Sequence, residues 1–318
     1  MDGIAAADER NATAAALLAD ALAGLSAQPK ALRPKWLYDR EGSELFERIT
    51  TLPEYHLTRV EAAILRDDAD SLAGCVPPGG ALVELGSGAS VKTRTLLNAG
   101  GHLGAYVPID ISAEFLHATA DDLRERYPGL IIHPVVGDFT GPVDLPDAVR
   151  AMPKVGFFPG STIGNLGAEA ARELLSRAAG WPGVTGFILG VDMIGDPARM
   201  VAAYDDSQGV TAAFIGNILA RLNRDVGADF DLDDFAYDAR WNAAAAQIEM
   251  RLVSRRDQAV TLGGTVVEFA RDEPIHVSTS RKYTAESLAE LARESGWTVD
   301  AMSTDRDGRF AVATLGPA

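Results

Sequence analysis

The stretch ELGSGASVKT, residues 84–93, decides the predicted fold, because a buried apolar strand, GGALVELG (79–86), runs directly into it. Small residues fill the turn, and a helical pattern starts at RTLLNAGG (94–101). Glycine lets the backbone approach a ligand closely, and the first turn of a helix offers N–H groups without intrahelical partners. The stretch therefore predicts a ligand-binding loop between a strand and a helix.

Apolar runs and helical patterns alternate after this loop. Continuous apolar runs are typical of parallel strands that helices cover on both faces. The spacing at 112–127 places Phe115 and Leu123 on the apolar face of a helix. We therefore expect an α/β fold with a parallel sheet. The further predicted strands are 104–111, 130–139, 154–162 and 184–193, and a second helix is predicted at 167–181.

The pattern changes between about residue 195 and residue 283. A predicted helix at 211–223 is followed there by antiparallel strands in AQIEMRLVS, QAVTLGG, TVVEFA and IHVSTSRKY. TAESLAELARESGW then predicts a helix with Thr284 as its N-cap, and WTVDAMST and RFAVATLG predict a hairpin joined by DRDG. An insertion thus interrupts the α/β core, which a helix and a hairpin complete.

Composition restricts the functional classes. The 318 residues include 29 basic and 45 acidic ones, a formal net charge of −16, so the average surface repels phosphate backbones and anionic lipid. No apolar run approaches the roughly 20 residues that span a bilayer, and the single cysteine, Cys75, fits a reducing compartment. We expect a cytoplasmic protein that binds neither nucleic acid nor membrane. Because no helix keeps a heptad pattern, we also expect a monomer.

Three ligands could use the glycine loop. A P-loop needs glycine immediately before its lysine, and a dinucleotide fingerprint needs a third glycine three residues after its second. Val91 occupies both positions, between Gly88 and Lys92. S-adenosylmethionine is the third ligand, and it needs backbone groups and an acidic residue rather than a cradle for pyrophosphate.

Polar residues at further strand ends favour S-adenosylmethionine. Asp110 ends the next strand, 24 positions after Gly86, where a carboxylate can accept from both ribose hydroxyls. Asp138 could accept from the adenine amino group while Phe139 stacks on the ring. The alternative for each aspartate is a cap on the following helix. No His or Cys cluster has the spacing of metal ligands, so we predict no metal.

The motifs of the chain together resemble those of the ergothioneine-pathway histidine Nα-methyltransferases. They are WLYD, LPEY, ELGSG, PIDIS, GDF, FPGSTIGN, AAYDD, TAAF, IEMRLVS and SRKY, and they cover almost the whole chain. The resemblance implies transfer of three methyl groups from S-adenosylmethionine to the α-amine of histidine. It also implies a Rossmann-like class I methyltransferase sheet with a second, α+β domain. The methyltransferase core is then expected at 59–194 and 286–318, and the substrate-binding domain at 1–58 and 195–285.

The resemblance also implies a role for individual residues. The amine has to be neutral and aligned with the S–CH₃ bond, and no residue stands out as a strong general base. The catalytic residues implied are Tyr38, Tyr55 and Asn165. The residues implied for the amino acid are Tyr55, Asn165, Tyr204, Met250, Ser278 and Ser280. Those implied for the cofactor are Gly86, Ser87, Gly88, Lys92, Asp110, Asp138 and Phe139.

Two positions depart from the family's pattern. With Ser280 and Lys282 aligned, Ser278 takes the place of a glutamate that accepts from the imidazole of histidine, and Ile215 replaces an asparagine. A hydrogen bond to a charged group contributes roughly 1.5–3 kcal/mol. Serine carries no charge, so it can offer the imidazole only a weaker, neutral hydrogen bond. Three expectations follow: weaker binding of histidine, the same chemistry on another amino acid such as an aromatic one, or a family member that binds S-adenosylmethionine without turnover.

Overall fold

The computed structural model describes residues 2–88 and 90–318, with the side chains of residues 11–88 and 90–318. None of the helices in this part of the chain is long and apolar enough to cross a membrane. The helices are α1 (Asp2–Leu25), α2 (Arg40–Thr51), α3 (Leu57–Asp67), α4 (Ala69–Gly74), α5 (Thr93–Ala99), α6 (Ala113–Arg126), α7 (Asp147–Arg150), α8 (Ala168–Ala179), α9 (Pro197–Ala202), α10 (Val210–Val226) and α11 (Ala285–Glu294). The strands are β1 (Ala81–Leu85), β2 (Ala105–Asp110), β3 (Ile131–Ile132), β4 (Val135–Val136), β5 (Lys154–Phe158), β6 (Val184–Asp192), β7 (Phe235–Asn242), β8 (Gln247–Ser254), β9 (Gln258–Leu262), β10 (Thr265–Phe269), β11 (Pro274–Arg281), β12 (Trp297–Thr304) and β13 (Phe310–Pro317).

The chain forms two compact units. The first unit runs to His56 and includes Asp196–Ser280, and the second consists of Leu57–Gly195 and Arg281–Ala318. The boundaries at residues 56, 195 and 280 differ from the predicted 58, 194 and 285 by two, one and five residues. The assignment of one unit to the cofactor and the other to the substrate stays a prediction.

The second unit is built on one sheet with the order β12-β13-β6-β5-β1-β2-β3, and β4 pairs with β2 beside β3. β3, β2, β1, β5 and β6 are parallel, whereas β13 is antiparallel to β6 and to β12. The prediction of a Rossmann-like α/β sheet is confirmed. The strand order reverses between β1 and β5, and open sheets of this kind bind ligands in the crevice outside the carboxyl ends at such a point.

Burial explains why these segments form the sheet. All five residues of β1 and all five of β5 are buried, as expected for central strands covered by helices on both faces. In the core, the ring of Trp297 lies edge-on to Phe187, and its indole N–H donates to the carbonyl of Leu175 at 2.9 Å. This bond satisfies the polar atom of a fully buried side chain.

Three predictions for the second unit were wrong in detail. The strand expected at 130–139 consists of two two-residue strands, β3 and β4, because Pro134 between them has no N–H for the ladder. The strand expected at 154–162 ends at Phe158, since Pro159 and Gly160, with φ of +81°, follow it. On α6 the buried residue is Leu116 rather than Phe115, which is 49% exposed.

The two ends of the inserted segment lie side by side in the second unit. The N–H of Tyr283 donates to the carbonyl of Asp192, and the N–H of Ile194 donates to the carbonyl of Tyr283, both at 2.9 Å. Lys282, which is fully buried, forms an ion pair with Asp192. Burial lowers the pKa of Lys282 against the opposing effect of the Asp192 carboxylate. The segment that leaves β6 and the segment that follows β11 are therefore hydrogen-bonded to each other.

The first unit combines helices with two small sheets. Glycines in the left-handed region, Gly209 at φ +68° and Gly227 at φ +66°, flank the long helix α10. The sheets have the order β11-β8-β7 and β10-β9. β7 was not among the predicted strands, although its apolar residues at 235, 237, 239 and 241 alternate with polar ones at 238, 240 and 242, as is typical of a half-buried strand. On the antiparallel partner β8, Arg251 and Glu249 form ion pairs with Asp238 and Arg240 of β7. These pairs neutralise the charged side chains of β7.

Candidate active site

The glycine loop follows β1 as predicted. Gly86 and Gly88 have φ angles of +67° and +47°, a region that glycine adopts without a steric penalty. The N–H groups of Gly86 and Ser87 donate to the carbonyl of Ile109 at 2.9 and 3.1 Å, so the loop is tied to the end of β2. A Cβ added to Gly88 would meet no atom within 4 Å, so that side of the loop is open.

Asp110 connects this loop to the end of β2. Its Oδ2 accepts from the N–H of Gly88 at 3.0 Å, and its Oδ1 accepts from the N–H of Ser112 at 3.0 Å. The structure thus brings Asp110 and the glycine loop together. The bond from Ser112 also agrees in part with the alternative role of a helix cap, since Asp110 closes the turn that leads into α6. The binding of ribose by Asp110 stays a prediction.

Asp138 and Phe139 lie in the turn after β4. Asp138 Oδ1 accepts from the N–H and the hydroxyl of Thr140 at 2.9 and 2.6 Å. The ring of Phe139 packs on the glycine loop, because a Cβ on Gly86 would lie 3.1 Å from its Cε1, and it is edge-on to Phe158 at 5.2 Å. Phe139 and Gly86 are therefore neighbours. Among the described side chains, those of residues 11–88 and 90–318, no group of three His, Cys, Asp or Glu could hold a metal ion.

Lys92 is paired with a residue that the sequence analysis did not single out. Its Nζ lies 2.5 Å from Oε2 of Glu61, whose side chain is fully buried on α3. The signal is present in the sequence, since α3 buries positions 57, 60, 61, 64 and 65, and Glu61 is the charged member of this stripe. A carboxylate at such a position requires a partner, and Lys92 provides it.

A second buried carboxylate, Glu84, lies beneath the glycine loop. It accepts from the hydroxyl of Thr93 at 2.5 Å and from the hydroxyl of Tyr106, which is 2.9 Å from Ser90 Oγ. Burial raises the pKa of Glu84 to about 8, although the hydrogen bonds from Thr93 and Tyr106 oppose this shift. The quoted loop sequence contains Glu84 and Thr93, but it did not reveal their contact or the hydrogen bond from Tyr106 of β2.

Asn165 also belongs to the second unit. It is the last residue of the 3-10 helix Thr162–Asn165 and is half-buried. The turn before it contains Ser161 in the left-handed region at φ +57°, and Ser161 Oγ accepts from the N–H of Asp192 at 2.9 Å. This bond fixes a backbone conformation that costs energy for residues other than glycine.

The first unit brings together three of the residues that the resemblance assigned to the amino acid. Tyr204 Oη lies 2.7 Å from Ser280 Oγ, and the rings of Tyr204 and Tyr55 are 5.9 Å apart at 79°. The hydroxyl of Tyr237 donates to the carbonyl of Tyr204 at 2.5 Å, and burial raises the pKa of Tyr237, so it remains a donor. The loop that carries Tyr204 is thus fixed from two sides.

Tyr38 belongs to a different ring cluster of the first unit. Its ring is edge-on to Phe46 at 5.8 Å and to Phe214 at 5.4 Å, whereas the ring contact of Tyr55 is with Tyr204. Ile215, which follows Phe214 on α10, is fully buried. The catalytic role that the resemblance gave to Tyr38 stays a prediction.

The remaining predicted residues are on the three-stranded sheet. Met250 is buried on β8, and Ser278 is buried on β11 two residues before Ser280. Because side chains alternate along a strand, Ser278 is on the same face of β11 as Ser280, whose hydroxyl contacts Tyr204.

Comparison with known proteins is consistent with this arrangement. A family model described as a histidine-specific, S-adenosylmethionine-dependent methyltransferase matches residues 17–317. The histidine N-alpha-methyltransferase of Mycobacterium tuberculosis is 44% identical over 305 residues, 94% of each chain. That of Mycolicibacterium smegmatis is 42% identical over 316 residues, 95% of each chain. Ergothioneine biosynthesis protein 1 of Neurospora crassa is 35% identical over 209 residues, which are 63% of this chain and 23% of that protein.

Proposed function

This chain belongs to the family of histidine-specific, S-adenosylmethionine-dependent methyltransferases, and we propose that it methylates the α-amino group of free histidine. The observation that carries the proposal is the glycine loop at the strand-order reversal. Two relatives named histidine N-alpha-methyltransferase, which match 94% and 95% of the chain, support it. S-adenosylmethionine supplies a methyl group on a positively charged sulfur, which is a good leaving group.

The glycine loop fits this cofactor. Ser87 Oγ is buried and has no hydrogen-bond partner among the described residues, and the side of the loop at Gly88 is open. A ligand with polar atoms would satisfy the hydroxyl at that place. We assign the amino-acid part of the cofactor to Gly86, Ser87, Gly88 and Lys92. We assign the ribose to Asp110 and the adenine to Asp138 and Phe139.

Tyr55, Tyr204 and Ser280 are proposed to bind the amino-acid substrate. Their support is the contact of Tyr204 with both other residues, which preorganises hydroxyl groups on a rigid strand and loop. Asn165 and Tyr38 are proposed to orient the α-amine, which attacks only as the neutral base. Solvent takes its proton, and the main contribution of the protein is alignment of the amine and exclusion of water.

The side-chain pocket is proposed to include Ser278 and Met250. Ser278 offers the imidazole a neutral hydrogen bond where the family has a carboxylate. Neutral hydrogen bonds contribute about 0.5–1.5 kcal/mol and those to charged groups about 1.5–3 kcal/mol. We therefore expect this protein to bind histidine more weakly than a relative that keeps the glutamate.

Mass spectrometry of the purified protein tests the proposal. The protein is incubated with S-adenosylmethionine and each of the twenty amino acids, and methylated product and S-adenosylhomocysteine are measured together. We expect histidine to acquire one, two or three methyl groups, and Nα-acetylhistidine, in which the α-nitrogen is blocked, to acquire none. Methylation of another amino acid instead would show that the pocket serves a different side chain. Binding of S-adenosylhomocysteine without any product would show a protein that has lost turnover.

The cellular setting is also a proposal. The net charge of −16 and the single Cys75 support a cytoplasmic enzyme that acts on a small molecule rather than on nucleic acid. We propose that it acts as a monomer, which size-exclusion chromatography with light scattering tests directly.

A further inference from the structure

Glu61 links the two backbone turns that flank the reversal of strand order in the second unit. Its Oε2 is 2.5 Å from Lys92 Nζ in the loop after β1, and its Oε1 accepts from the N–H of Gly160 at 2.7 Å in the turn after β5. Each carboxylate oxygen thus has one partner from a different turn. The contact with Lys92 is an ion pair, and the bond from Gly160 is a hydrogen bond to a charged acceptor, the stronger class in proteins.

Glycines next to the Glu61 carboxylate provide the space that it occupies. A Cβ on Gly190 of β6 would lie 2.4 Å from Glu61 Oε1, which no real contact permits. A Cβ on Gly160 would lie 3.2 Å from Lys92 Nζ. Two glycines therefore make the space that a fully buried carboxylate and the ammonium group occupy.

Lys92 is not held by burial. Its side chain is 22% exposed, whereas that of Glu61 is fully buried. A lysine has a flexible four-carbon stem, and its ammonium group samples many positions unless a partner restricts it. The Glu61 carboxylate is that partner, and because helix α3 carries it, the position of the ammonium group is set by a rigid element rather than by the loop itself.

We propose that Glu61 is a positioning residue for methyl transfer. It acts through Lys92 on the methionine end of S-adenosylmethionine, and through Gly160 on the turn that leads to Asn165. This inference rests on the proposed cofactor role of Lys92. It is independent of which amino acid is methylated.

Two substitutions of Glu61 separate its contact with Lys92 from its contact with Gly160. In Glu61→Gln the amide oxygen can still accept from Gly160, whereas the amide NH₂ faces Lys92 with donors only. We expect the dissociation constant for S-adenosylhomocysteine, measured by calorimetry, to rise about tenfold, since the ion pair that positions the Lys92 ammonium group is lost. Glu61→Ala loses both bonds, so the KM for the amino acid should rise as well. Asp67→Asn, which removes an exposed charge at the end of the same helix, should leave both constants within about twofold.

A double-mutant cycle with Lys92→Met distinguishes positioning from a purely structural role. If Glu61 acts through Lys92, adding Glu61→Gln to Lys92→Met should cause no further loss of affinity for S-adenosylhomocysteine. The double variant removes both charges together, so it provides a folded comparison even if Glu61→Gln alone fails to fold. Additive losses, or a lower melting temperature of Glu61→Gln with unchanged affinity, would overturn the proposal. A wild-type protein that binds S-adenosylhomocysteine but does not methylate histidine would overturn the proposed substrate and leave this binding cycle valid.

Discussion

The hydroxyl of Thr93 donates to Glu84 Oε2 across 2.5 Å, so the first residue of α5 is tied to the carboxylate near the end of β1. Tyr106 of β2 donates to the same oxygen. The two ends of the glycine loop are therefore joined beneath it by a single buried side chain. The conformation of the loop depends on the state of that carboxyl group as well as on its glycines.

The stability of the protein should depend on the protonation of Glu84. Its pKa is about 8 in the folded protein against 4.5 for the ordinary side chain, because the buried site disfavours the charged form. The stabilisation from the protonated carboxyl is complete below the unfolded pKa and is lost as pH rises through the folded pKa. From about pH 5 to pH 8, this group should lower the free energy of unfolding by up to about 1.4 kcal/mol per pH unit.

Denaturant unfolding at several pH values measures this slope, and Glu84→Gln is the matched variant. Glutamine resembles the protonated acid and keeps an oxygen for Thr93 and Tyr106. We expect the variant to be less sensitive to pH over this interval and more stable than wild type above about pH 8. Equal pH dependence of the two proteins would contradict a raised pKa at Glu84.

Alanine at Gly86 should weaken cofactor binding. The residue has φ of +67°, and its Cβ would lie 3.1 Å from the ring of Phe139, so the ring or the loop has to move. A left-handed conformation costs a non-glycine residue roughly 1–2 kcal/mol. We expect a lower melting temperature and a dissociation constant for S-adenosylhomocysteine that rises about tenfold or more. The control is Gly101→Ala, where a Cβ meets nothing within 4 Å and φ is not positive. A similar loss of affinity in Gly101→Ala would show that the effect is not local to the loop.

Removal of the Tyr204 hydroxyl should affect the amino acid rather than the cofactor. Tyr204→Phe leaves Ser280 Oγ, which is buried, without its 2.7 Å partner. A neutral hydrogen bond contributes about 1 kcal/mol, so we expect the KM for histidine to rise about fivefold with little change in the KM for S-adenosylmethionine. Steady-state kinetics with each substrate varied checks this, with the surface variant Tyr127→Phe as control. Equal increases in both KM values would contradict the assignment of Tyr204 to the amino acid.

Glutamate at Ser278 should increase the preference for histidine. The new carboxylate can accept a hydrogen bond from the imidazole, which contributes roughly 1.5–3 kcal/mol. We therefore expect the KM for histidine to fall about tenfold or more. Because Ser278 is buried, we also expect a lower melting temperature without substrate. Competition between histidine and an aromatic amino acid, followed by mass spectrometry, measures the preference. Ser278→Ala removes the neutral hydrogen bond and should lower the preference for histidine by about two- to tenfold. An equal response of the two variants would place Ser278 outside the pocket.

The glycine loop was predictable because its signals are local. A buried strand, small residues and a helix follow one another in the chain, and Asp110 and Phe139 come at or just after strand ends. Parallel strands bring their carboxyl ends to one edge of a sheet, so the contacts of Gly88 with Asp110 and of Gly86 with Phe139 follow from topology.

The features that sequence reasoning missed depend on long-range pairs. The apolar alternation of β7 was visible in its sequence, but the pairing of its charged residues with Arg251 and Glu249 depends on the register with β8. Glu61 is 31 positions from Lys92 and 99 from Gly160, and its burial becomes meaningful only when these partners are known. A charged residue within an apolar helix stripe was the available signal.

The pairing of Asp192 with Lys282 and Tyr283 has a consequence for how this protein can change. The inserted segment begins and ends at neighbouring points of the second unit, where hydrogen bonds and a buried ion pair already close the gap. Its length and content can therefore vary without altering the register of β6 and β13. If the first unit binds the amino acid and the second unit binds the methyl donor, as proposed, exchange of this segment would change the substrate and leave the cofactor site intact.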